Sequence, residues 1–130
     1  MVNGYLLDTS VALWTLGQPE RLTPSVRIAV DQGPAWLSVI SYWEVAIKSA
    51  IGKLDVGPVE DWWRTLIADV GAEVLPLQSG HVATISRLPL LHRDPFDRAL
   101  IGQAIAEDLE LLSPDRMMAK YEAAGLKLLR

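Results

Sequence analysis

Cysteine is absent from the 130 residues, which removes disulfide frameworks, thiolate metal sites and cysteine nucleophiles from consideration. No apolar run approaches the roughly 20 residues that a membrane-spanning helix requires. The opening stretch MVNGYLLDTSVALW has neither a basic leader nor a long apolar core, so it does not read as a secretory signal. These absences lead to the expectation of a cytoplasmic protein with no membrane association. An excess of positive charge is also lacking: the formal net charge is −4 and the pI about 5.1. That argues against a protein that coats nucleic acid by bulk charge. It leaves room for an enzyme whose clustered carboxylates hold divalent cations, because each bound ion restores two charges locally. Internal repeats, low-complexity tracts and Gly/Ser linkers are missing as well, so the chain reads as one domain over residues 1–130.

What is present is apolar and alternating. Half the residues are hydrophobic, enough to bury a core and to exclude disorder. Short apolar runs (GYLL, AWLSV at 35–39, AEVLPL, LELLS and LKLL) alternate with longer stretches of helical spacing. These are TSVALWTL, TPSVRIAVDQG, SYWEVAIKSAIG, VEDWWRTLIADVG, SGHVATISRL, a segment over about 95–108, and PDRMMAKYEAAG. The alternation predicts βαβ units, and hence an α/β fold: a three-layer α/β/α sandwich around a mainly parallel sheet.

In open parallel sheets, sites form beyond the carboxyl ends of the strands. Three strands here run into a carboxylate: Asp8 ends YLL, Glu44 follows AWLSV, and Asp115 follows LELL behind Ser113 and Pro114. A fourth acidic position opens the helix in LLHRDPFDRALIGQAI. Each has a purely structural reading beside the functional one. Ser41-x-x-Glu44 is a capping-box pattern. Asp94-Pro95-x-Asp97 reads as N-cap, N1 proline and an acidic N3 residue. Asp115 suits the positive end of a helix dipole. Glu44 falls off the stripe formed by Trp43, Ala46, Ile47, Ala50 and Ile51, and Lys48 at i+4 would make it half of a surface ion pair. Asp8, on a central strand, favours function. Asp97 lies in line with Ile101, Ala104 and Ile105, the face that meets the sheet, whereas Asp94 is better placed as the cap.

Several carboxylates at one sheet edge repel unless a cation joins them. Oxygen ligands without cysteine suit Mg²⁺ or Mn²⁺. Such ions serve phosphodiester or phosphate-ester hydrolysis. Among the remaining residues, Arg93 and Arg98 flank the acidic positions and are candidates for phosphate contact. His81 and His92 have no partner at ligand spacing and read as surface or capping residues. The tryptophans Trp14, Trp36, Trp43, Trp62 and Trp63 read as core. Adjacent residues on a helix point about 100° apart, however, so Trp62 and Trp63 fit a core together only with difficulty.

The segments YLLDTSVALW, SVISYWEVAIKSAIGKL, RDPFDRALIGQAI and LLSPDRMMAKY, in that order and spanning nearly the whole chain, resemble the successive motifs of PIN-domain proteins. The resemblance is nearest to the VapC toxins of type II toxin–antitoxin modules. It implies a Mg²⁺-dependent endoribonuclease (Mn²⁺ being the alternative ion) with a VapB-type antitoxin, an RNA substrate and a toxin homodimer. Carried over, the family's acids fall on Asp8, Glu44, Asp97 and Asp115. Asp8, Asp97 and Asp115 then hold the metal, with Asp94 as an additional or exchangeable ligand, and Thr9 and Ser10 occupy the small hydroxyl positions that orient ligands or water. The unpaired tryptophan would face the antitoxin or a second toxin copy. Two other readings compete: a haloacid-dehalogenase-like phosphatase, which wants an Asp where this chain has Ser10, and a non-catalytic α/β binding module.

Overall fold

The computed structural model describes residues 3–130. Met1 and Val2, the start of the stretch read as lacking a leader, lie outside the described residues. Strand β1 (Tyr5–Leu7) leads into α1 (Thr9–Gly17), a short 3-10 turn (Pro19–Arg21) and α2 (Pro24–Gln32). Strand β2 (Ala35–Ser38) is followed by α3 (Val39–Ala50) and α4 (Val59–Val70), then β3 (Glu73–Leu75), α5 (Ser79–Arg87) and α6 (Pro95–Glu107). Strand β4 (Glu110–Leu112), a 3-10 helix (Arg116–Ala124) and β5 (Lys127–Leu129) complete the chain. The five strands are all parallel in the order β3-β2-β1-β4-β5, as the alternation of elements predicts.

Strand pleating splits the core into two halves. Leu7, Leu37 and Leu112 face one side, packed by Val11 and Ala12 of α1, Val26, Ala29 and Val30 of α2, and Trp62, Trp63 and Leu66 of α4. Leu6 and Leu111 face the other side, packed by Leu100, Ile101 and Ala104 of α6 with Met118 and Tyr121 of the 3-10 helix. Helices therefore cover both faces of the sheet. None of the described helices is long and apolar enough to cross a membrane. The strand order reverses between β1 and β4, so the crevice of an open α/β sheet opens beyond Leu7 and Leu112.

Three local expectations change. Helix α3 starts at Val39, capped by the Ser38 hydroxyl, which accepts from the Ile40 amide at 3.0 Å; Ser41 is inside the helix and makes no capping box with Glu44. The segment 116–124 is a 3-10 helix rather than an α-helix. Trp62 and Trp63 are both buried, each 7 % exposed, because α4 lies against both α1 and α3 and Trp63 stacks on Tyr42 of α3 at 4.8 Å. The exposed tryptophan is instead Trp43 (58 %), set edge-on against Phe96.

Helices α5 and α6 touch at Gly102. A Cβ there would lie 2.3 Å from Ile85 Cγ1 and 3.3 Å from the Ile85 backbone. Isoleucine is stiff at χ1, so that clash outweighs the helix propensity alanine brings. Gly102→Ala is expected to destabilise by about 1–3 kcal/mol, read as a lower urea midpoint at unchanged slope. An unchanged or higher midpoint would contradict this packing.

Candidate active site

Beyond the carboxyl ends of β1 and β4, a cleft of about 150 Å³ is lined by Asp8, Thr9, Ser10, Leu13, Glu44, Lys48, Asp94, Asp97 and Asp115. All the acidic positions singled out from the sequence, and both hydroxyl positions, meet there. Five carboxyl groups face one lysine, an excess of four negative charges when all are ionised.

Capping and site formation are not alternatives in this cleft, because three of the acids do both. Asp8 caps α1: its Oδ1 accepts from the Val11 amide at 2.7 Å. Asp94 caps α6 by accepting from the amides of Phe96 (2.9 Å) and Asp97 (3.2 Å). Asp115 caps the 3-10 helix by accepting from the Met117 amide at 2.9 Å. The cleft is thus floored by helix N-termini, whose partial positive charge makes a dense set of carboxylates tolerable.

Glu44 overturns the surface ion-pair reading. It is 4 % exposed. Its Oε1 accepts from the Thr9 hydroxyl at 2.7 Å and its Oε2 from Lys48 Nζ at 2.7 Å. Since the one proton of Thr9 goes to Glu44, the Ser41 hydroxyl 3.0 Å away donates to Thr9. Thr9 therefore acts on Glu44, while Ser10 is exposed at the cleft wall.

The buried acids resist ionisation. Desolvation pushes Asp8 up to about 7, against the pull of the Ser113 hydroxyl and the Val11 amide, with Asp97 and Glu44 adding repulsion. Asp97 is raised to about 6 by burial, and by Asp94 and Glu44, while the His92 hydrogen bond opposes the shift. Acids held above their ordinary range by burial and by one another form a site that gains from a bound cation. Hard oxygen donors from several elements, with a single lysine as counter-charge, fit a divalent metal ion.

His92, read from the sequence as a surface or capping residue without a partner at ligand spacing, is mostly buried and faces the acids. Its Nε2 lies 2.8 Å from Asp97 Oδ2 and 3.8 Å from Asp115 Oδ2. Among the described residues, His92, Asp97 and Asp115 are the group whose candidate ligand atoms lie within 4.8 Å of one another. Arg98, in contrast, does not line the cleft. Its guanidinium donates to the carbonyls of Pro89, Ile85 and Leu88 and to the Tyr121 hydroxyl, at 2.9–3.4 Å. It holds the loop before α6, so its guanidinium is engaged by the protein and not turned to a phosphate in the cleft. Arg93 is exposed and is not among the lining residues. His81 is buried, and its Nδ1 accepts from the Gln78 amide at 3.1 Å to cap α5.

Comparison with known proteins bears on the family and the fold. The family model described as PIN domain matches residues 5–124. Ribonuclease VapC22 of Mycobacterium tuberculosis is 27% identical over 119 residues, covering 89% of this chain and 90% of that protein. In the crystal structure of VapBC2 from Rickettsia felis bound to a DNA fragment from their promoter, one chain matches with a TM-score of 0.71 at 15% identity, over 96% of both chains. A chain of the DNA-bound VapBC from Salmonella typhimurium matches with a TM-score of 0.71 at 15% identity, over 99% of this chain and 98% of that one. At that identity the two solved structures speak to the fold.

Proposed function

Because the chain belongs to the PIN-domain family, we propose that it is the endoribonuclease toxin of a type II toxin–antitoxin module, with residues 1–130 acting as a single PIN domain in the cytoplasm. It is a nuclease of the hydrolase class. The observation that carries this reading is the convergence of Asp8, Glu44, Asp94, Asp97 and Asp115 in one cleft at the sheet's switch point. The nearby relative named Ribonuclease VapC22 supports RNA as the substrate.

Asp8, Asp97 and Asp115 would hold a divalent ion, with Mg²⁺ the physiological candidate and Mn²⁺ the alternative, and Asp94 beside them as the helix cap. When bound, such an ion supplies charge neutralisation and polarisation of a phosphoryl oxygen and of water. The protein's own groups do the rest. Asp8 and Asp94 keep α1 and α6 aligned on the cleft through their caps. Thr9 and Lys48 fix both oxygens of Glu44, so that its carboxylate presents a constant face to an attacking water. Lys48 is the cation available among the lining residues to meet a phosphate. The solved relatives are complexes of VapB with VapC, which supports a VapB-type antitoxin as partner. Trp43 and Ile47 on α3, with Ile51 at its C-cap, are exposed and offer apolar area to a second toxin copy.

The purified protein is expected to cut structured RNA internally in Mg²⁺ or Mn²⁺ and to lose that activity in EDTA, with fragment 5′ ends mapped by sequencing. Hydrolysis of a phosphate monoester with RNA left intact would favour a phosphatase and overturn the proposal.

A further inference from the structure

The 88–92 loop is held by more than its own backbone. The fully buried Tyr121 hydroxyl accepts from the amides of Leu91 (3.1 Å) and His92 (2.9 Å) and from Arg98 Nη1 (3.1 Å). Arg98 in turn binds the carbonyls of Ile85, Leu88 and Pro89. A buried tyrosine and a half-buried arginine fork are costly to immobilise, and the loop they hold carries the His92 imidazole. Its Nε2 meets carboxylates from two different elements, Asp97 in the first turn of α6 and Asp115 at the start of the 3-10 helix. A histidine that merely steadied Asp97 would need one carboxylate. One nitrogen and two carboxylate oxygens, each on a separately anchored element and all within 4.8 Å, enclose a point where a cation is stabilised by all three.

We propose that His92 joins Asp97 and Asp115 as a nitrogen ligand of the divalent ion that Asp8 also faces, and that the added nitrogen raises the affinity for Mn²⁺ relative to Mg²⁺, with Mg²⁺ still the candidate by abundance. The inference rests on the reading of the cleft as a metal site. An imidazole nitrogen is a poor donor to Mg²⁺, which keeps oxygen and water around itself, and a good one to Mn²⁺ and later divalent ions. The acids that the sequence exposes would by themselves give an oxygen-only set with no such preference. The Tyr121–Arg98 clamp fixes the backbone from which the ring projects, through the Leu91 and His92 amides.

Pulsed electron paramagnetic resonance of Mn²⁺ on the full chain tests this without reference to activity. The wild type is expected to show modulation from a directly bound ¹⁴N. His92→Gln is expected to lose it, with Mn²⁺ affinity falling about tenfold or more and Mg²⁺ affinity changing much less. Mn²⁺ bound in the wild type with oxygen-only couplings overturns the inference, and that measurement needs no variant to fold. The two readings fail separately. Nitrogen coupling without RNA cleavage keeps the ligand and removes the nuclease, whereas cleavage with oxygen-only Mn²⁺ does the reverse.

Discussion

Replacing Asp8 by Asn is expected to lower RNA cleavage by about 10³-fold or more while raising the melting temperature measured in chelator. Both effects have one cause. Asp8 is 4 % exposed, and burial holds its carboxyl near 7 instead of 3.8. A carboxyl raised by folding contributes stability that is fully present below the unfolded value and is lost as pH rises through the folded value. At pH 8 without metal the folded protein therefore carries a buried charge beside Asp97 and Glu44. Asparagine keeps the side-chain oxygen that accepts from the Val11 amide and drops the charge, for a gain of about 1–3 kcal/mol. Near pH 5 Asp8 is already protonated, so the gain should shrink. Asp8→Ala loses the cap as well, at about 1 kcal/mol, and should be the less stable of the two variants. An Asn variant that is inactive and also less stable than wild type at pH 8 would mean that Asp8 is structural; an active one would remove it from the site.

The gap between sequence and structure is instructive at α3. Hydrophobic periodicity assigns the apolar residues to the core and the polar ones to solvent, and along 41–51 that rule fails at four positions although it holds at Val45. Trp43 and Ile51 are exposed, and Ser41 and Glu44 are buried. The polar face of α3 looks into a cleft, where Thr9, Ser41, Glu44 and Lys48 satisfy one another. A catalytic face and a solvent face have the same composition, so periodicity cannot separate them. Asp8 was legible for the opposite reason: a charge ending an apolar strand has no solvent reading at all. The five parallel strands were legible because buried strands flanked by amphipathic helices leave few arrangements.

His92 and Arg98 show where local sequence runs out. His92 lies on a loop with no periodicity, and its place is set by Tyr121, 29 positions away. Nothing in HRDPFDR indicates that the second arginine is consumed by carbonyls behind it while the first is exposed. In both cases the deciding contacts are long-range and polar, and spacing along the chain carries no record of them. The N-cap at Asp94, which involves only its next three residues, was readable from Asp-Pro-x-Asp.

Metal affinity and stability should both turn on pH, in opposite senses. Ligand carboxylates bind a cation only once deprotonated, and Asp8 and Asp97 hold their protons to about 7 and about 6. Divalent-ion affinity should therefore climb by between about two and three orders of magnitude between roughly pH 5 and pH 7, then level off above the higher of the two values. Metal-free stability contributed by the same groups falls over that interval, because their folded values are raised. Thermal melts with excess Mn²⁺ and with chelator should accordingly diverge as pH increases: the chelated curve declines, and the loaded curve is lifted by mass action. In Asp8→Asn the divergence should start lower, governed by Asp97 alone. A gap between loaded and chelated melts that is constant from about pH 5 to pH 8 would mean that the ion does not displace protons from these acids. It would then have to bind elsewhere on the molecule.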